Sequence, residues 1–374
     1  MKRLIYADNA ATTKLDTDAF EAMKPYLLDE YGNASQPYTF SRAPKRALQE
    51  AREMIASCIN ANPNEIYFTS GGTESDNWAI KAPAIAHGKH CSIIASQIEH
   101  HAILHACHAV EQMGYSVAYL PVESQGIVQP ASLSSIINSE TKLVSVMYAN
   151  NEIGTIEPIR ELCSIAHEHG ALFHTDAVQA VGHVHIDVKA LAIDMLSASA
   201  HKFNGPKGIG FLYIKAGTPI CPYADGGAQE FGMRAGTENV AAIVAMAVAL
   251  QKNCSRIDEV TTHLLSLENN LLDALQDAGL DFIRNGSSNH IPGNISLSFK
   301  GAQGEMLLHR LDLMGISVST GSACDSKITQ VTHVVEAIQV PDEYRYGTIR
   351  ISLGYENTVE EIRYIAKSIA KILR

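Results

Sequence analysis

Seven short runs rich in β-branched residues recur between about residues 60 and 215: IYFTS, CSIIAS, SVAYL, KLVSVMY, ALFHTD, DMLSASA and IGFLYI. Helical stretches, some plainly amphipathic, separate them. Strands that alternate with helices build βαβ units, and parallel neighbours need such crossovers. The pattern predicts an α/β domain with a mainly parallel, seven-stranded sheet flanked by helices. Beyond it, residues 256–283 read as one long amphipathic helix. NISLSF, a helix around 304–314, the ISVST strand, TIRISLG and a closing helix follow, which describes a smaller α+β domain. The expected division is 15–255 for the large domain, with 1–14 and 256–374 forming the small one.

At 374 residues the chain is long enough for two domains. Its formal net charge of −11, without a strong basic run, argues against direct nucleic-acid binding. The opening MKRLIYADNAATT has no apolar core of a signal peptide, and the Ala/Val-rich stretch 240–250 is too short to span a bilayer. Seven cysteines, an odd number without a CxxC pair, suit reduced thiols. Together these features predict a cytoplasmic protein with no membrane association.

Several motifs stand at strand ends. In SASAHKFNGPKGIG an apolar strand stops at His201-Lys202, before a Gly/Pro-rich turn. A partly desolvated lysine there is a Schiff-base nucleophile, although a solvated loop lysine fits the same residues. In HTDAVQAVG, Asp176 closes another strand. It can hold a pyridinium nitrogen, as pyridoxal phosphate requires, or cap a helix; Gln179 follows within reach of a ring oxygen. In FTSGGTESDN, a strand, Gly71, Gly72 and Thr73 open a helix whose free N–H groups suit a phosphate. His101 and His105 have helical spacing, but no carboxylate or cysteine completes an open metal site, so none is expected. His100, just after a strand, is a candidate for ring stacking and proton transfer.

Cys324 differs from the other cysteines. Cys58, Cys91, Cys107, Cys163, Cys221 and Cys254 each lie in or beside apolar or helical stretches, whereas Cys324 sits in STGSACDS among small polar residues.

Taken in chain order, the sequence resembles the fold-type I pyridoxal-phosphate enzymes of aminotransferase class V, and among them the NifS/IscS cysteine desulfurases. The resemblance spans YADNAATT, TSGGTESDN, EHHAIL, NNEIGT, HTDAVQ, SAHKFNGPKGIG, MRAGTEN, GSACDS and IRISLG. It implies a pyridoxal 5'-phosphate enzyme that converts L-cysteine to L-alanine, with Cys324 as the persulfide-forming nucleophile. Lys202 matches the Schiff-base lysine and His100 the histidine stacked on the ring. Asp176 matches the partner of the pyridine nitrogen, and Gln179 the neighbour of the phenolic oxygen. Gly72, Thr73, Ser199 and His201 match the phosphate site, while Asn151 lies beside ring and substrate. Arg350 matches the arginine that holds the substrate carboxylate, a task suited to its bidentate fork. Thr237 matches a threonine that reaches the phosphate of the other subunit's cofactor, which implies a homodimer with shared sites.

The stretch DSKITQVTHVVE resembles the extended mobile loop of the IscS-like subgroup, which carries sulfur to an acceptor protein. That acceptor is left open among an iron–sulfur scaffold, a tRNA-thiolation carrier and a DNA sulfur-modification pathway. Rival readings are an aminotransferase, a selenocysteine lyase, or a non-catalytic partner that keeps the fold. Asp225 and Ala228 depart from the family's histidine-led glycine run.

Overall fold

The computed structural model describes residues 4–88, 91–321 and 331–374; the nucleophile expected at Cys324 lies outside the described residues. Strand β1 (Ile5–Tyr6) comes first, followed by the strands of the large sheet: β2 (Ile66–Thr69), β3 (Ser92–Ser96), β4 (Ser116–Leu120), β5 (Thr141–Ser145), β6 (Leu172–Asp176), β7 (Met195–Ser199) and β8 (Gly210–Ile214). Their spatial order is β2-β8-β7-β6-β5-β3-β4. Strands β7, β6, β5, β3 and β4 pair in parallel, while β8 pairs antiparallel with both β7 and β2. The reversal has a simple cause. Only the short Gly/Pro-rich link Ala200–Ile209 joins β7 to β8, too little chain for a helical crossover.

Helices α1 (Thr17–Leu28), α2 (Arg42–Cys58), α3 (Gly72–His87), α4 (His101–Gln112), α5 (Pro130–Ile136), α6 (Ile159–Glu168) and α7 (Val240–Cys254) accompany this sheet. Apolar side chains such as Ile94, Val144, Phe173, Leu196 and Phe211 are fully or almost fully buried between the layers. Helix α7 is the Ala/Val-rich stretch of the sequence, and its Ala245, Met246, Ala249 and Leu250 sit in that core.

The remaining elements form a second layered unit: α8 (Ile257–Asp277), β9 (Phe282–Asn285), β10 (Asn294–Phe299), α9 (Gly304–Leu313), β11 (Ile316–Ser317), α10 (His333–Ala337), α11 (Asp342–Arg345), β12 (Thr348–Ser352) and α12 (Val359–Leu373). Strands β12-β10-β9 make an antiparallel sheet, and β1 pairs in parallel with β11. A separate core of Leu267, Leu271, Ile295, Leu297, Ile349, Ile351, Ile365 and Ile369 closes between this sheet and α8 and α12. The expected helix over 256–283 stops earlier, at Asp277. Gly279 adopts a φ of +72° beyond its end, a left-handed conformation that favours glycine, and the chain then turns into β9. Among the described residues, no single helix is long and apolar enough to cross a membrane.

Residues 8–16 run between the two units. Asn9 N–H donates to Ser352 O (3.0 Å), Thr13 N–H to His201 O (2.9 Å) and Asp16 N–H to Asn204 O (2.9 Å). This segment therefore carries the opening of the chain from the small sheet to the turn that holds Lys202.

Candidate active site

The C-terminal ends of β2, β5, β6 and β7 face the link between the two units, where open α/β sheets place their ligand crevices. A cavity of about 520 Å³ opens there. Its walls include Gly72, Thr73, His100, Asn151, Asp176, Gln179, Ser199, His201, Lys202 and Arg350. Residues spread over 279 positions of sequence thus meet at one site, because each sits at or beside the end of a strand or the start of a helix.

Lys202 ends the 3-10 turn after β7, and its ammonium donates to the carbonyls of Ala10 (2.5 Å) and Ala11 (2.9 Å). Gln179 Nε2 donates to the same Ala10 carbonyl (2.9 Å), so one segment positions both side chains. Asp176, the last residue of β6, is buried, and its Oδ1 accepts from Val178 N–H (2.9 Å). Burial raises its pKa to about 6, against the Val178 N–H and the Lys202 charge, which favour the anion.

His100 is the N-cap of α4, and its Nδ1 accepts from Ala102 N–H (3.1 Å). That bond leaves the ring proton on Nε2. Burial, then the charge of Lys202 and of the neighbouring histidines, lowers its pKa to about 4, so the ring is neutral at physiological pH. His101, His105 and His333 lie close by, with ring centroids 5.2 Å and 5.0 Å from His101. Among the described residues no group of histidine, cysteine and carboxylate side chains has the arrangement of a metal site.

The start of α3 is shaped for an anion. Its N-cap is Gly71, with φ of +146°, and among the described residues no side chain caps the first turn. The orphan N–H groups of that turn, together with the positive end of the helix dipole, face the cavity. A β-carbon on Gly72 would stand 2.7 Å from Val178 Cγ2, and the φ of +146° at Gly71 is one that residues with a side chain rarely adopt. The cradle is therefore built for bare backbone. His201 completes this side, its Nδ1 3.1 Å from Thr12 Oγ1 and its pKa lowered to about 4, first by burial and then by Lys202 and Lys207.

Arg350, also at the cavity wall, lies on β12, almost wholly buried at 3% exposure. Its Nη2 donates to Asp8 Oδ1 (2.7 Å) and its Nη1 to the carbonyl of Asn151 (2.9 Å); among the described residues its Nε has no partner. A buried, incompletely bonded guanidinium at a cavity wall suits a carboxylate ligand. The buried aspartate, the glycine cradle and the lysine together have the chemistry pyridoxal phosphate requires: a carboxylate for a ring nitrogen, bare backbone N–H groups for a phosphate and an amine for an aldehyde.

Thr237 does not share this cavity. It is exposed on the loop before α7. Two ion pairs fix that loop: Arg52 with Glu230 (2.7 and 2.9 Å) and Arg234 with Glu74 of α3 (2.8 and 3.1 Å). Between them Glu230 and Phe231 take left-handed φ values of +46° and +58°, in the stretch where Asp225 and Ala228 depart from the family pattern.

Sequence reasoning overlooked three acids. Asp8 pairs with Arg350, and its only prior signal was a place inside the quoted YADNAATT. Asp76, in the SGGTESDN motif, also lines the cavity. Glu99, just before His100, is fully buried; its Oε1 accepts from Ser96 Oγ (2.6 Å) and Met147 N–H (2.8 Å), and burial raises its pKa to about 8.

Residues 5–365 match the family described as aminotransferase class-V. A cysteine desulfurase IscS of Dictyoglomus turgidum is 48% identical over 377 residues, covering 100% of this chain and 95% of that protein. A solved structure described as a NifS-like protein superposes with a TM-score of 0.94 at 37% identity, covering 99% of each chain. A second, described as SspA in complex with cysteine, gives 0.83 at 32% identity over 93% of this chain and 98% of the other. With its sheet order, its lysine turn and its glycine cradle, this chain belongs to the class-V aminotransferase family and, within it, to the cysteine desulfurases of the IscS/NifS type.

Proposed function

We propose that the protein is a pyridoxal-phosphate-dependent cysteine desulfurase that converts L-cysteine to L-alanine and receives the sulfur on Cys324 as a persulfide. The observation that carries the reading is one cavity walled by Lys202, Asp176, His100 and the buried guanidinium of Arg350. When bound, the cofactor supplies an electron sink for cleavage of bonds near the amino acid's α-carbon.

The chain's own groups do the rest. Gly72, Thr73, Ser199 and His201 would bind the phosphate. Asp176, an anion just above its raised pKa of about 6, would keep the ring nitrogen protonated. Gln179 would face the phenolic oxygen, and Lys202 would hold the cofactor and release it to substrate. Arg350 and Asn151 would orient the substrate carboxylate. His100 would stack on the ring and exchange a proton at Nε2, the nitrogen its helix-capping bond leaves available. The Cys324 thiolate would then attack the substrate sulfur, forming an S–S bond as the C–S bond breaks.

Thr237, exposed on its doubly anchored loop, would reach the cofactor phosphate of a second copy, making a homodimer with shared sites. The sulfur would pass to an acceptor protein, an iron–sulfur scaffold or a sulfur carrier. The free thiols among the described residues support a reducing, cytoplasmic setting.

The test combines three readouts on one sample. Protein reconstituted with pyridoxal phosphate should show the visible absorbance of bound cofactor. Added L-cysteine with a reductant should yield alanine and sulfide in equal amounts. Cys324→Ala should keep the absorbance and lose sulfide release. Coloured protein that makes no alanine, or Cys324→Ala that still releases sulfide, would overturn the assignment.

A further inference from the structure

Asp76 is 1% exposed within α3, and its Oδ1 has no hydrogen-bond partner among the described residues. Strand alternation puts His174 and Asp176 on one face of β6, and Ser197 on β7 is the register partner of Asp176. Asp76 packs against this group. Its Oδ1 lies 3.9 Å from His174 Nε2, and the Ser197 hydroxyl is within hydrogen-bonding reach. His174 cannot neutralise an aspartate there. It is wholly buried, with Nδ1 2.9 Å from Ser145 Oγ and Nε2 3.0 Å from Ser197 Oγ, and burial lowers its pKa to about 3.

The other groups facing Asp76 are acids: Asp176 from β6 and Glu99 from the segment before α4. Two carboxyls in one desolvated place do not both ionise, so the proton goes to the one with the poorer stabilisation. Asp176 has the Val178 N–H and the nearby Lys202 charge. Asp76 has the nearby Ser197 hydroxyl and, among the described residues, no cation.

We propose that Asp76 is held as a carboxylic acid beside the hydrogen-bonded row Ser197–His174–Ser145, and is a positioning residue that leaves Asp176 the single negative charge under the cavity floor. The inference rests on the reading of Asp176 as the partner of the cofactor's ring nitrogen. A charged Asp76 would push Asp176 toward its neutral form and spoil that role. With Asp76 and Glu99 neutral, Asp176 would be the one anion available to a cofactor's pyridinium nitrogen.

The experiment uses apoprotein of the full chain, labelled with ¹³C-carboxyl aspartate, and isotope-edited infrared spectroscopy at about pH 8. The label excludes Glu99. Wild type should show one protonated aspartic-acid band that Asp76→Asn loses and Asp176→Asn keeps. Titrating the Asp176 carboxylate band should give the same midpoint in Asp76→Asn and wild type, because a neutral group replaces a neutral group. A wild type without the band, a band that survives Asp76→Asn, or one lost in Asp176→Asn would overturn the proposal. So would a midpoint that falls by a pH unit or more in Asp76→Asn, since that reveals a charge removed. Adding pyridoxal phosphate to the same wild-type sample separates the two readings: absent visible absorbance counts against the cofactor assignment, whatever the infrared result.

Discussion

Arg350→Lys tests the proposed role of this guanidinium as the anchor of the substrate carboxylate. The guanidinium spends Nη2 on Asp8 Oδ1 (2.7 Å) and Nη1 on the Asn151 carbonyl (2.9 Å), from a position 3% exposed. A lysine keeps the positive charge that Asp8 needs, so no uncompensated buried carboxylate arises. A single ammonium cannot span Asp8, the Asn151 carbonyl and a substrate carboxylate together. The loss is one charge-assisted hydrogen bond, about 1.5–3 kcal/mol. At about 1.4 kcal/mol per factor of ten, that is roughly a ten- to 150-fold fall in kcat/KM for L-cysteine. Cysteamine, which has the amine and thiol but no carboxylate, should bind the variant and the wild type equally, read from the change in cofactor absorbance. Equal losses for cysteine and cysteamine would show that the substitution distorts the cavity. A cysteine loss below about threefold would show that the carboxylate sits elsewhere.

Three further outcomes follow from the geometry. Glu230→Ala removes a carboxylate that accepts from Arg52 twice and from Phe68 N–H (2.8 Å), leaving a guanidinium stranded beside a strained loop; urea unfolding should show a loss of about 3–5 kcal/mol, and a loss under 1 kcal/mol would refute the anchoring. Gly72→Ala puts a methyl 2.7 Å from Val178 Cγ2, so the start of α3 must shift, and titration with pyridoxal phosphate should show affinity weakened at least about tenfold; a change below about threefold would place the phosphate elsewhere. Glu99 has a folded pKa raised to about 8, so the stability it contributes is full below its ordinary pKa of 4.5 and is lost as pH rises through 8. Glu99→Gln should therefore flatten the decline in stability between about pH 4.5 and 8, by up to about 1.4 kcal/mol per pH unit inside that window; urea midpoints that fall in parallel for the two proteins would refute it.

The sheet was legible because β-branched runs and crossover helices are local features, each written in a few consecutive residues. The reversed strand β8 was less visible, although its cause, the short link after β7, lies in the sequence too. The end of α8 was missed because amphipathic periodicity continues past Asp277, and only the left-handed Gly279 and the pairing of β9 with β10 stop the helix. In the site, the meeting of Lys202, Asp176 and Gly72 at one cavity could be read because each stands at a strand end or at a helix start. Asp8, Asp76 and Glu99 could not, because what sets their protonation and pairing is burial, and burial is a property of packing. Arg350 shows the limit well. A buried arginine in a strand requires a counter-charge, and that much follows from its sequence context. The chain has 40 acidic residues to choose from, and Asp8 is 342 positions away. Only the parallel pairing of β1 with β11, and the bridges that tie Asp8 to Ser352 and Ser319 to Arg350, bring the acid to the arginine. The counter-charge of this buried arginine is thus supplied by a strand pairing between segments far apart in sequence, which is why no local motif announces it.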